Sequence, residues 1–352
     1  LVVAGAGMAG LCAAARAREL GATPTVLEKG DRPGGSMLLS SGVVWRYRSL
    51  DDFRRECPDG DPRLQRQIVE RLDDALDWLE SLGAPVLEAK TRNPRTVGRR
   101  FDTRGLTEVL VRTAGDVQLG RGLVPDPRTR PKEPVVLATG GFPVRFARER
   151  GLALRSNPWS DGDGLDVGVA SGAAATSGMD EFYGRAMPAP PAEWGEAEFV
   201  DHAQLYGRFA SVVDEAGLAI PTDPDDWSEN RLVQEIAARG GRAWYIVARD
   251  ELGRQTTYGT IGDAIERARS AGATVEPRAD GSLAVHVAAA VTHTIGGLAV
   301  DERARVLGKD GAPIAGLFAA GVDVGGWSTG GYASGLAAAL VLGLAAAEEI
   351  AS

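Results

Sequence analysis

Short apolar runs alternate along the chain with longer stretches of helical period. Leu1-Val2-Val3-Ala4 is an unbroken apolar run, the pattern of a strand covered on both faces in a parallel sheet. Leu11 to Leu20, rich in Ala, Leu and Arg, predicts a helix, and Thr25-Val26-Leu27 predicts a second strand ending on Glu28. Asp73 to Gly83 carries Leu and Trp at helical spacing, with Trp78 and Leu79 expected on a core-facing stripe. Met187 to Pro191 reads as a loop by composition. The longest apolar run, Leu336 to Ala347, holds about a dozen residues against the roughly 20 needed to span a bilayer, so it predicts an Ala-rich buried helix and no membrane partner. There is no internal repeat.

Gly5-Ala6-Gly7-Met8-Ala9-Gly10 lies between the first strand and the first helix. The order is strand, GxGxxG, helix, strand, acidic residue, as in a dinucleotide-binding βαβ unit. Each part has a physical task. Gly5 permits a tight turn, Gly7 lets the backbone approach a pyrophosphate, and Gly10 lets helix and strand pack closely. The helix start, with Met8 and Ala9, offers unpaired N–H groups and a positive dipole end to phosphate. Glu28, with Lys29 beside it, stands where a carboxylate can accept hydrogen bonds from both ribose hydroxyls, and an acid there disfavours the 2′-phosphate of NADP. Arg32-Pro33-Gly34-Gly35-Ser36 follows. This Gly pair resembles the second phosphate-approach loop of FAD-dependent enzymes and points to FAD rather than NAD. The plain alternative is a surface turn.

Further motifs extend the likeness. Gly34-Gly35-Ser36 and Ser40-Ser41-Gly42-Val43-Val44-Trp45, then Val135 to Phe142 with Ala138-Thr139-Gly140, come first. Asn157 with Ser160-Asp161-Gly162-Asp163-Gly164, and His293-Thr294-Ile295-Gly296-Gly297-Leu298, follow. Gly316 to Asp323 and Gly330-Gly331-Tyr332-Ala333-Ser334-Gly335-Leu336 complete the series. In this order they resemble the fumarate reductase/succinate dehydrogenase flavoprotein superfamily, which includes 3-ketosteroid dehydrogenases. The resemblance implies non-covalent FAD, since no His lies between Gly34 and Trp45 where covalently flavinylated relatives carry their attachment residue. It also implies FAD contacts from Ser41, Gly42, Asn157, Asp163, Gly321 and Asp323, the last in place of the usual Glu. Gly335 and Leu336 would open a helix whose N-terminus points at the flavin and stabilises negative charge on the reduced ring.

The implied fold is α/β: a Rossmann-like FAD-binding domain, a parallel sheet with helices, interrupted by an α+β capping domain. The expected boundaries are 1–142 and 281–352 for the FAD domain and 143–280 for the cap. The stretch Leu119 to Pro134 is short and basic where relatives carry a longer β-meander. A reduced FAD domain, or residues absent from the chain, would explain it. The chain opens inside a strand without an initiator Met, so a few residues before Leu1 are expected to be missing. No signal peptide is seen, and the cytoplasm is the expected compartment.

Composition narrows the function classes. Over 352 residues the net charge of −9 argues against a nucleic-acid partner, because phosphate binding draws on clustered Lys and Arg. Two cysteines, Cys12 and Cys57, make neither a disulfide framework nor an iron–sulfur or other metal site, and Cys12 is expected to be a packed apolar residue. An external electron donor or acceptor is therefore expected besides a small-molecule substrate.

For catalysis, the resemblance singles out three side chains. Arg231, in Glu229-Asn230-Arg231 ahead of a helix ending near Arg239, corresponds to the segment that supplies the catalytic Arg of fumarate reductases. The alternative is an ordinary surface Arg. His293 matches the family His that binds a substrate carboxylate, and Tyr332 resembles the Tyr that polarises a ketone in ketosteroid dehydrogenases. Tyr183 reads as structural, and His202 and His286, which carry no motif, as structural or exposed. Trp327-Ser328-Thr329-Gly330 carries no Arg where fumarate reductases place a clamp for the second carboxylate, which disfavours fumarate itself. The expected activity is FAD-dependent reduction or formation of a C=C bond next to a carbonyl or carboxylate. The alternatives are a ketosteroid dehydrogenase-like enzyme and a non-catalytic flavin-binding protein with an eroded site.

Overall fold

The computed structural model describes residues 1–122 and 133–352. Most of the short basic stretch 119–134 therefore lies outside the described residues. Contacts divide the chain into two compact units, one made of Leu1–Val144, Asn157–Glu181 and His293–Ser352, the other of Arg145–Ser156 and Phe182–Thr292.

The first unit is built on a six-stranded sheet. Its elements are β1 (Val2–Ala4), α1 (Met8–Glu19), β2 (Thr25–Leu27), α2 (Pro62–Ser81), α3 (Thr103–Ala114), β3 (Val117–Gln118), β4 (Val135–Leu137), β5 (Arg305–Leu307), β6 (Pro313–Ala319) and α4 (Gly335–Ala351). The strand order is β5-β6-β4-β1-β2-β3, parallel throughout except for the antiparallel edge strand β5. Residues Val2 to Ala4 pair with Thr25 to Leu27 on one side and Val135 to Leu137 on the other. That double pairing explains the unbroken apolar run, since a central parallel strand has no solvent face. A small antiparallel sheet joins Val43–Tyr47, Thr96–Phe101 and Val86–Glu88.

Helix α2 begins at its Asp61 cap, whose carboxylate accepts the Arg63 N–H, and carries Pro at its first turn. It buries Leu64, Ile68, Leu72, Ala75, Leu76 and Leu79, a stripe of helical period. Trp78 departs from expectation. It sits at the edge of that stripe, half-buried, with its indole N–H donating to the Glu19 carboxylate at 2.9 Å. A Trp needs an acceptor for that N–H, and the rim supplies one.

Helix α4 is buried on nearly every face from Ala337 to Ala347 and packs against α1. A Cβ on Gly343 would lie 2.6 Å from the Ala9 carbonyl oxygen, so the two backbones meet through small residues. This accounts for the long apolar run as core. Among the described residues no helix is long and apolar enough to cross a membrane.

The second unit is an α+β body on a mainly antiparallel seven-stranded sheet. Its main path runs Ala219–Ile220, Ser211–Asp214, Arg242–Val247, Leu283–Thr294, Val275–Pro277, and Phe182–Pro188 and Ala153–Leu154 also pair with the long strand. Boundaries differ from the expected 142/143 and 280/281. The segment 157–181 returns to the first unit, where Asn157 and Asp163 bond Ser36 and Lys29. Residues 283–288 stay in the second, because they pair in register with Val247 back to Arg242.

Candidate cofactor and active site

The Gly-rich turn stands at the carboxyl ends of β1 and β4, the edge at which open parallel sheets bind ligands. Gly5 has φ +105°, and a Cβ there would fall 2.1 Å from the Ala138 carbonyl oxygen. A Cβ on Gly10 would lie 1.9 Å from the Gly5 oxygen, so strand and helix touch at this point. Gly7 is different. Its Cβ would meet nothing nearer than the Gly35 Cα at 4.0 Å. The protein fold demands the first and third glycines, whereas the second faces open space beside the Gly34-Gly35 turn. That is the fit expected for a pyrophosphate laid over Gly7, at the start of α1 where Met8 and Ala9 stand.

The second loop is tied directly to the first. Gly34 N–H donates to the Ala6 carbonyl at 2.7 Å, and Ser36 Oγ accepts the Asn157 N–H at 3.3 Å. Glu28, nearly buried, accepts Ala6 N–H at 2.8 Å and Gly30 N–H at 2.7 Å, one on each oxygen. These bonds fix the carboxylate plane and leave a lone pair on each oxygen for a ribose hydroxyl. Lys29 pairs with Asp163 at 3.0 Å, so the two charges are spent on each other. The Ser41 carbonyl takes Arg100 Nε–H at 2.9 Å, and Gly42 is required by packing, its Cβ lying 2.2 Å from the Phe101 oxygen.

The distant end of the chain closes onto this cradle. A Cβ on Gly321 would come within 3.0 Å of the Ala9 Cβ. Asp323 is buried and accepts the Thr139 N–H, the Thr139 hydroxyl at 3.0 Å and the Gly140 N–H at 3.3 Å. Burial pushes its carboxyl up to about 6, against the lowering effect of these donors. Thr139 Oγ1 also accepts the Gly164 N–H at 3.0 Å. Asp323 therefore joins the loop after β4 to the turn after β6, and its oxygens face protein donors. Ser334 caps α4, its hydroxyl accepting Ala337 N–H at 3.3 Å, so Gly335 and Leu336, both half-buried, form the positive end of that helix dipole.

His293 and Tyr332 adjoin this same segment. Nδ1–H of His293 donates to the Thr294 carbonyl at 3.1 Å, which sets the lone pair on Nε2. Nε2 lies 3.3 Å from where a Gly335 Cβ would be, at the first residue of α4. Burial lowers its pKa to about 4, so the ring is neutral near pH 7. Binding a carboxylate through it would require proton uptake. Tyr332 packs edgewise on Trp45 at 5.4 Å between ring centroids, and its carbonyl accepts the Tyr47 hydroxyl at 2.6 Å.

Arg231 belongs to the second unit. It is exposed in the first turn of the helix Asn230–Ala238, rather than ahead of it. The buried charges of that unit are other residues. Glu229, at φ +53°, accepts Gly207 N–H at 3.1 Å, and its carboxyl is pushed up to about 7 by burial, against the pull of Arg185 and Arg208. Tyr183 is buried beneath the Arg185 guanidinium, and His286 bonds Glu215 at 2.8 Å. Sequence reading missed the cap by Ser334, although a Ser directly before an apolar run is a helix-start signal. It also missed Glu229 and Arg185, which have no local signal.

The FAD binding domain family matches residues 1–125 and 125–337, two segments that meet within the short basic stretch 119–134. A fumarate reductase (cytochrome) of Shewanella frigidimarina is 25% identical over 419 residues, covering 93% of this chain and 72% of the relative. The open conformation of a flavocytochrome c3 fumarate reductase superposes with TM-score 0.70 at 22% identity, over 99% of this chain and 77% of that one. A 3-ketosteroid-delta4-(5alpha)-dehydrogenase from Rhodococcus jostii RHA1 gives 0.73 at 21% identity, over 100% and 96%. Family match, fold and the Gly7 cradle agree, and the chain belongs to the FAD-dependent fumarate reductase/succinate dehydrogenase flavoprotein superfamily, with FAD as its cofactor.

Proposed function

We propose that the protein is an FAD-dependent oxidoreductase that reduces or forms a C=C bond next to a carbonyl or carboxylate in a small organic substrate. The observation that carries this reading is the convergence of Gly7 and Gly321 on the start of α1, with His293 against the first residue of α4. FAD, when bound, supplies the two-electron chemistry, exchanging hydride with a substrate carbon at N5.

The chain's own residues supply the rest. Gly5, Gly7, Met8, Ala9, Gly10 and the Gly34-Gly35-Ser36 loop would hold the pyrophosphate, and Glu28 the ribose. The α4 N-terminus would favour negative charge beside it. His293, neutral with its lone pair on Nε2, is suited to accept a proton in the dehydrogenating direction and to return it in the reducing one. The Tyr332 hydroxyl would polarise the activating carbonyl. Arg231 is kept as a candidate catalytic residue. FAD is held non-covalently in this reading, and an external donor or acceptor completes the cycle.

A second reading, a ketosteroid dehydrogenase-like enzyme, draws on one observation. Half-buried Tyr332 packs on the buried aromatic set Trp45, Tyr47 and Phe53, with contacts at 5.3 to 5.4 Å, and its ring could meet a ring substrate.

The test is direct. The yellow holoprotein is reduced anaerobically and mixed with fumarate, monocarboxylic 2-enoates, small enones and a steroid enone while flavin absorbance is followed. Reoxidation by enoates or enones at rates at least a hundredfold above buffer is expected. Silence toward every compound, unchanged by His293→Ala, would leave a flavin-binding protein without this activity.

A further inference from the structure

We propose that Glu181 is a positioning residue that holds His293 and Tyr332 on one frame and sets that frame against substrates bearing a second carboxylate. The inference rests on the function proposed above and names its substrate class.

Glu181 grips both segments. Its carbonyl accepts the Ile295 N–H at 3.1 Å, two residues beyond His293. Its carboxylate accepts the Gly330 N–H at 2.8 Å, two residues before Tyr332. The strand end is further braced by Gly296 N–H on the Gly178 carbonyl at 2.9 Å, and Glu181 N–H closes on that same carbonyl at 3.0 Å. One residue thus bridges the two stretches that present the candidate acid–base and carbonyl-polarising groups, by its backbone carbonyl to one and its carboxylate to the other.

Its charge has a second consequence. Trp327-Ser328-Thr329-Gly330-Gly331-Tyr332 contains no cation. A Cβ at Gly330 would lie 2.8 Å from Asp59 Oδ2, so a second carboxylate borders the same turn. Asp59 and Asp180 both act on Glu181, adding to burial in raising its pKa. The hydroxyls of Ser328 and Thr329 are buried and have no hydrogen-bond partner among the described residues. The turn therefore carries negative charge and no cation, which suits a ketone, amide or monocarboxylate better than a dicarboxylate.

Glu181→Gln separates the two roles, because the amide oxygen can still accept from Gly330 while the charge is gone. Steady-state kinetics are run with fumarate, a monocarboxylic 2-enoate and a neutral enone, with FAD content read from the visible spectrum. Glu181→Gln is expected to raise kcat/KM for fumarate about tenfold relative to the neutral enone, chiefly through KM. Glu181→Ala is expected to lower kcat for all three at wild-type FAD content, with Gln restoring most of it. An unchanged fumarate-to-enone ratio in Glu181→Gln overturns the inference, even if Glu181→Ala fails to fold. Wild-type silence toward all three would instead sink the parent reading. In that case fumarate affinity, read as a perturbation of the flavin spectrum, still decides the charge role through the wild-type and Gln proteins.

Discussion

Asp323 and Glu229, one in each unit, are buried carboxylates with raised pKa values, and the two are held in opposite ways. Asp323 in the first unit is surrounded by backbone: the N–H groups of Thr139 and Gly140 and the Thr139 hydroxyl converge on it. Glu229 in the second unit is surrounded by charge, with Arg208 Nε 3.9 Å away and Arg185 acting on it, besides the backbone N–H groups of Gly207 and Arg208. Short dipoles hold Asp323, and longer-range cations hold Glu229. Burial still outweighs both sets, leaving the carboxyls near 6 and near 7. Removing an acceptor from converging donors strands them, whereas neutralising an acid among distant cations disturbs little.

The sharpest break is Asp323→Ala, which leaves the half-buried Thr139 and Gly140 N–H groups and the Thr139 hydroxyl without their acceptor. We expect a loss of about 3–5 kcal/mol in urea unfolding and at least a tenfold loss of FAD retention on gel filtration. Full stability in that variant would show that the two cofactor segments are joined by other means.

Next in size is pH. Both carboxyls have folded values above their ordinary ones, so each favours the folded state most when protonated. For Asp323 that stability is complete below about pH 4 and is lost as pH rises through about 6. For Glu229 the loss runs from about 4.5 through about 7. Asparagine does not titrate, so between pH 4 and 7 the FAD-free wild type should lose on the order of 3 kcal/mol relative to Asp323→Asn. A gap independent of pH would contradict a raised Asp323.

The smallest effect is expected from Glu229→Gln. The amide oxygen can keep the Gly207 N–H, so at pH 4, where Glu229 is protonated in the folded chain and largely so in the unfolded one, the difference should be about 1 kcal/mol or less. Thermal unfolding of the variant checks this. A loss as large as that of Asp323→Ala would erase the contrast between the two sites.

The local parts of the candidate cofactor site were readable in sequence because their demands are local. Gly5, Gly7, Gly10 and Glu28 fall within 28 residues, and turn, helix start and acid must follow in that order. The apolar character of β1 and α4 likewise follows from burial on all sides. Trp78 was misplaced because helical period locates a stripe but not its edge, and an indole N–H favours the edge. The compact units differ from the expected boundaries because residues 157–181 are joined to the first unit by their partners, Ser36 and Lys29, rather than by composition.

By itself, then, the sequence determined a βαβ nucleotide cradle, a second Gly-punctuated segment near its far end and an absence of cations beside Tyr332. Tertiary structure alone decided that Asp323 faces Thr139, that His293 is neutral with its lone pair on Nε2, and that Glu181 reaches Gly330 across 149 positions. The reason is physical. Motif spacing constrains neighbours along the chain, whereas desolvation and hydrogen-bond partners depend on which distant segments exclude water from a group.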